Sequence, residues 1–147
     1  MNQDHLNQEG YFDPTPHKAI RNISKAERRA SVFGFRPVVY ICSPYREDIT
    51  SNTAKARFYC SLALKKATIP FAPHLLYPQF MDDSNEDERR LALFMCSVML
   101  DKCAEVWVFG ERISDGMKAE IQRAQEKRKT IKYFDSDGNR LKGGPRV

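Results

Sequence analysis

The sequence has no apolar run approaching the roughly 18–20 residues that a membrane-spanning helix needs. Its first 30 residues hold no apolar core of the kind a secretory leader carries. A cytoplasmic chain with no membrane partner is therefore expected. The four cysteines, Cys42, Cys60, Cys96 and Cys103, form no Cys-x-x-Cys pair and no Cys/His pair at zinc-ligand spacing. No metal and no cofactor are expected, and the cysteines read as reduced thiols, most of them buried. There is no internal repeat, no low-complexity tract and no basic block. The net charge of +5 is spread as +2 over residues 1–36, +2 over 37–134 and +1 over 135–147. A nucleic-acid groove is not indicated by that spread, and a small anionic substrate fits it as well.

What is present is ordinary globular material. The chain has 147 residues, 41% hydrophobic and 29% charged, enough for one domain with a core. Residues 1–36 are polar, hold Pro14 and Pro16, and read as a partly irregular arm with a short helix near Ser24–Ser31. Residues 135–147 read as a turn followed by a frayed end, because Asp137-Gly138 and Gly143-Gly144-Pro145 punctuate them.

Residues 37–134 alternate between two patterns. Val38–Cys42, Ile69–Ala72, Glu105–Phe109 and Thr130–Phe134 are short β-forming runs. Ser51–Lys66, Glu86–Cys103 and Gly116–Arg128 have helical spacing. Their expected apolar faces are Ala54, Phe58, Leu62 and Ala63; then Leu91, Phe94, Met95, Val98 and Met99; then Met117, Ile121 and Ala124. A β-α-β-α-β-α-β order implies an α/β fold. We expect a Rossmann-like or flavodoxin-like three-layer sandwich with a mainly parallel sheet of four to five strands. In such sheets ligands bind beyond the carboxyl ends of the strands. Three segments belong there: Ser43–Arg46, Pro73–Tyr77 and Gly110–Gly116.

Within these segments, Ser114 or Asp115 can cap the third helix, whose exposed N–H groups suit an anion. Glu120 borders the apolar face of that helix. Burial there raises its pKa and the helix dipole lowers it, and a poorly hydrated carboxylate at a cleft is a good nucleophile toward a sugar carbon. A solvated surface Glu is the plainer reading. Arg46 can clamp a phosphate, and Tyr45 can hold the carboxylate through its hydroxyl; an ordinary turn is the alternative. His74 reads as a proton donor, a base contact or a structural histidine. The acidic cluster Asp82-Asp83 and Glu86-Asp87-Glu88 reads as a solvated loop and an acid-rich first turn.

The runs Tyr40-Ile41-Cys42-Ser43-Pro44-Tyr45-Arg46, Pro70–Phe80, Glu88-Arg89, Trp107–Gly110 and Ile113–Met117 through Glu120, with Asn52, appear in order over two-thirds of the chain. This stretch resembles the nucleoside 2-deoxyribosyltransferase-like superfamily, particularly its small bacterial and phage branch. The resemblance implies Glu120 as the nucleophile that forms a glycosyl-enzyme ester, with Tyr45 orienting it. It implies substrate contacts from Ser43, Arg46, Asn52, His74, Gly110, Ser114, Gly116 and Met117. Ser114 stands six residues before the Glu. Relatives that hydrolyse nucleotides tend to have Ser there and those that transfer nucleosides Asp, so a nucleoside 5′-monophosphate is the implied substrate. A carboxylate at that point repels a phosphate, whereas a hydroxyl donates to it. Ala104 departs from the Asp that many relatives place before the third strand.

The resulting expectation is an N-glycosyl hydrolase or pentosyltransferase that assembles as a homodimer or higher homo-oligomer. A pocket that binds a nucleotide or nucleotide signal without reaction, in defence or signalling, is one alternative. An NAD-cleaving enzyme is a second, and a phage structural or partner-binding protein working through residues 1–36 is a third.

Overall fold

In a computed structural model of the chain, residues 33–144 are described. The expected helix at Ser24–Ser31 lies outside them. Strand β1 (Val38–Cys42) is followed by helix α1 (Ile49–Lys65) and strand β2 (Ile69–Phe71). A short helix α2 (Pro73–Leu76) and a 3-10 turn (Tyr77–Gln79) lead to helix α3 (Glu86–Lys102). Strand β3 (Glu105–Phe109), helix α4 (Asp115–Glu126), strand β4 (Thr130–Phe134) and strand β5 (Arg140–Leu141) complete the order. The sheet runs β2-β1-β3-β4-β5; the first four strands are parallel and β5 is antiparallel. The expected mainly parallel α/β sandwich is thus the observed fold.

The continuous apolar runs of β1 and β3 reflect cover on both faces. Val39, Ile41, Trp107, Phe109 and Phe134 pack with Tyr59 and Ala63 of α1. Tyr40, Cys42, Val106 and Val108 face the other way, against Leu100 and Cys103 at the end of α3 and Met117 and Ala124 of α4. The pleat therefore sends alternate residues of β1 to opposite layers, and Tyr40 and Cys42 share a layer with α4. The chain leaves β1 toward β2 on one side and resumes at β3 on the other. That reversal opens a crevice at the carboxyl ends of β1 and β3.

Two helix faces differ from expectation. The side of α1 that is buried carries Asn52, Ala56, Tyr59 and Ala63, while Phe58 is 47% exposed. Tyr59 stacks on Phe109 with centroids 4.2 Å apart, and Phe109 stacks on Phe134 at 4.7 Å; this column turns the helix. In α3 only Leu100 is fully buried, and Leu91, Phe94 and Val98 are exposed. The helix meets the sheet through Cys96, Leu100 and the following Cys103, spaced i, i+4 and i+7.

The chain after Phe134 also differs. It turns and returns as β5 instead of fraying, pairing Tyr133 with Leu141 and Phe134 with Arg140. The Asp135 carboxylate accepts the N–H groups of Asp137 and Asn139 at 3.0 and 2.8 Å, and Gly138 takes a φ of +86°. Asp-Gly hairpin chemistry closes the loop. All four cysteines are free thiols; Cys42 and Cys103 are buried. No helix among the described residues is long and apolar enough to cross a membrane.

Phe109 sits at the centre of the stacked column with none of its surface exposed. Phe109→Ala is expected to cost about 3–5 kcal/mol of unfolding free energy, measured by urea denaturation.

Candidate active site

The crevice holds a cavity of about 390 Å³, within the range of small-molecule sites. Its walls come from the loop after β1, from α2 after β2, from the first half of α3 and from the entrance of α4. Of the residues singled out in the sequence, Ser43, Tyr45, Arg46, His74, Ser114, Gly116, Met117 and Glu120 line it together. Asn52 and Gly110 do not. Asn52 is buried and donates through Nδ2 to the Tyr45 carbonyl at 3.1 Å, tying α1 to the loop after β1. Gly110 turns the chain out of β3 with a φ of +103°, and its N–H bonds the Phe134 carbonyl at 3.0 Å. Both act on the frame of the cavity.

Helix α4 starts at the cavity because Ser114 caps it, its Oγ accepting the Met117 N–H at 3.3 Å. A Cβ on Gly116 would meet only Ser114 Oγ, at 4.0 Å, so glycine there leaves the entrance open and relieves no backbone strain. Met117 and Ala124 anchor the helix in the core. Glu120, between them, is carried against β1, an inner strand of the sheet. Tyr40 Oη donates to Glu120 Oε1 at 2.7 Å. Burial raises the pKa of Glu120, and hydrogen bonds from the Cys42 thiol and the Tyr40 hydroxyl pull it back down. The opposition expected between burial and the helix dipole is thus, in the folded protein, one between burial and these two donors. Burial first, and then the Glu120 charge, raises the Tyr40 pKa well above normal, which keeps its proton in place as a donor.

The hydroxyl that holds Glu120 is therefore Tyr40's, and the assignment of Tyr45 to that task is corrected. The two tyrosines stand five residues apart, but only Tyr40 lies in the strand, pointing into the α4 layer. Tyr45 lies in the loop, where its ring stacks on His74 with centroids 5.7 Å apart and planes at 22°. His74 Nε2 lies 2.8 Å from Ser43 Oγ. Burial lowers the His74 pKa to about 4, so at neutral pH the ring is uncharged and is not a ready proton donor to a leaving base. Ser43 and His74 instead form a neutral polar pair beside the aromatic face.

Arg46 is paired with Asp83 at 3.0 Å, so the acidic loop 82–83 is part of the cavity mouth and not merely solvated surface. Arg112 is paired with Glu47 at 3.0 Å across the same mouth. Ala104 is exposed and stands just before β3, at the opposite end of the strand from the cavity. Among the described residues no group of three His, Cys, Asp or Glu is placed to hold a metal ion.

Tyr40, Cys42 and Arg89 were not among the sequence candidates. A tyrosine inside a buried strand was the available signal, since its hydroxyl needs a partner. Arg89 was hidden in an acid-rich first turn.

Among solved structures the chain is similar to the 2-deoxyribosyltransferase of Bacillus psychrosaccharolyticus, with a TM-score of 0.53 and 15% identity over 67% of this chain and 72% of that one. At that identity the likeness establishes a shared Rossmann-like fold. The family described as a domain of unknown function, DUF7768, matches residues 37–134, and the chain belongs to it. A comparison with curated proteins finds no match.

Tyr40→Phe removes one of the two donors that favour ionised Glu120 while leaving the burial that opposes it. The Glu120 pKa is then expected to rise. Carboxyl-carbon NMR titration checks this: the Glu120 midpoint moves to higher pH in the variant than in the wild type.

Proposed function

We propose that the protein is an N-glycosidase or deoxyribosyltransferase-like enzyme that cleaves the N-glycosidic bond of a nucleoside 5′-monophosphate. The observation that carries this reading is Glu120: a half-buried carboxylate on the wall of a 390 Å³ cavity, fixed by a 2.7 Å hydrogen bond from Tyr40. The likeness to a 2-deoxyribosyltransferase supports it through the fold.

In this reaction an oxygen of ionised Glu120 attacks C1′ and forms the glycosyl ester. The C1′–N bond breaks, and its electron pair leaves with the base, which takes a proton from solvent. Water, or the nitrogen of a second base, then attacks C1′. The ester C–O bond breaks and its electron pair returns to the carboxylate. A proton of the attacking group passes to solvent, and Glu120 is restored. Desolvation makes the carboxylate reactive, and the hydrogen bonds from Tyr40 and Cys42 oppose the rise in its pKa that burial causes. Attack needs only one such group, since the same carboxylate serves as nucleophile in the first step and leaving group in the second. The stacked Tyr45 and His74 rings offer a face to a base, and Ser43 offers a hydroxyl beside it. Ser114 at the head of α4 supports the phosphate reading, because a capping hydroxyl and free N–H groups favour an anion.

The test is release of free base from a panel of nucleotides, modified nucleotides, nucleosides and NAD, separated by chromatography. Glu120→Gln retains an acceptor for Tyr40 but loses the nucleophile, and is expected to lower turnover roughly 10³-fold or more. Undiminished turnover in that variant refutes the assignment. Stoichiometric nucleotide capture with no base released by the wild type supports the alternative of a binding pocket.

A further inference from the structure

Charges on the cavity wall are almost all answered. Asp83 holds Arg46, Glu47 holds Arg112, and Asp115 holds Lys118 at 3.5 Å. Asp82 accepts from Ser84, and Glu88 accepts the Asp82 N–H at 2.9 Å. Glu120 accepts from Tyr40. Arg89 also lines the cavity and is half-buried, yet among the described residues it has no carboxylate partner. A guanidinium that has lost part of its water without gaining a counter-ion is a vacancy for an anion.

Helix register says where that vacancy lies. Helices α3 and α4 each follow one parallel strand and precede the next, so they run in the same direction on one face of the sheet. Arg123 clamps Asp101 with two bonds of 2.9 and 2.6 Å, which sets the two helices level at that pair. Counting back equal numbers of residues places Ala92 level with Ser114 and Arg89 about one turn further out. Arg89 thus stands at the Ser114 end of the cavity, whereas Glu120 stands roughly 9 Å of helix rise deeper than Ser114. A phosphoryl arm directed outward from a sugar carbon at Glu120 would extend toward the end of the cavity that Arg89 lines.

We propose that Arg89 is the specificity-determining residue that takes the anionic group of the substrate, its guanidinium bonding the phosphate oxygens while C1′ lies at Glu120. This rests on the N-glycoside reading given above. It moves the phosphate clamp from Arg46, which sits exposed at the mouth with Asp83, to the cavity arginine for which the described residues supply no carboxylate partner.

The experiment uses the full chain as wild type, Arg89→Gln, Arg89→Lys and Arg46→Gln. Base release is measured for a nucleoside 5′-monophosphate and for its nucleoside, and binding of inorganic phosphate is measured by calorimetry. Arg89→Gln is expected to lower kcat/KM for the nucleotide about 10- to 100-fold, at least tenfold more than for the nucleoside. Arg89→Lys restores part of the loss, and Arg46→Gln costs the nucleotide several-fold less than Arg89→Gln does. Phosphate binding is lost with Arg89→Gln. Equal losses on nucleotide and nucleoside, or a wild type that binds no phosphate, overturn the proposal. If no substrate releases base but phosphate is bound in an Arg89-dependent way, the reaction fails and the anion site stands.

Discussion

One hydrogen bond organises the site: the Tyr40 hydroxyl donating to the Glu120 carboxylate. A carboxylate packed against an inner strand is expensive unless donors meet it, because desolvation disfavours its charge. Tyr40 and Cys42, two residues apart on one face of β1, supply those donors from the backbone of the fold. The cost of burying Glu120 is offset by elements that are themselves fixed by the core. The same placement leaves the carboxylate on the wall of the cavity, where a bound molecule can reach it.

Topology explains why the other groups gather there. The winding of the chain reverses between β1 and β3, and the segments that leave the carboxyl ends of β1, β2 and β3 open onto that crevice. The loop after β1 brings Ser43, Tyr45 and Arg46; α2 brings His74; the α4 entrance brings Ser114 and Gly116. Helix α3 closes the far wall with Arg89 and Cys96. The cavity is polar at its mouth, where arginine–carboxylate pairs face water and contribute little stability. Tyr77, Cys96 and Met117 also line it, and their largely apolar surfaces lower the local polarity.

Much of this was legible in the sequence. The runs Val38–Cys42 and Glu105–Phe109 were read to the residue, because strands covered on both faces are apolar throughout and end abruptly at polar residues. The position of the cavity followed from element order alone. Helix faces were less legible. Both α1 and α3 carry apolar residues on several sides, so the choice of buried side depends on partners distant in sequence, such as the Tyr59–Phe109 stack. Tyr40 and Tyr45 could not be told apart by spacing from Glu120; the pleat of β1 separates them. Arg89 sits among acids, and only the pairing of Arg46 and Arg112 elsewhere singles it out. The return of the chain as β5 needed the Asp135 turn, whose hydrogen bonds the composition of the tail does not reveal.

The most direct measurement is to catch the ester. A 2′-fluorinated nucleotide slows the second displacement, so a glycosylated protein accumulates and can be digested and sequenced by tandem mass spectrometry. The account predicts one sugar per chain, attached to Glu120. Base release without that adduct, or an adduct on any other residue, contradicts it.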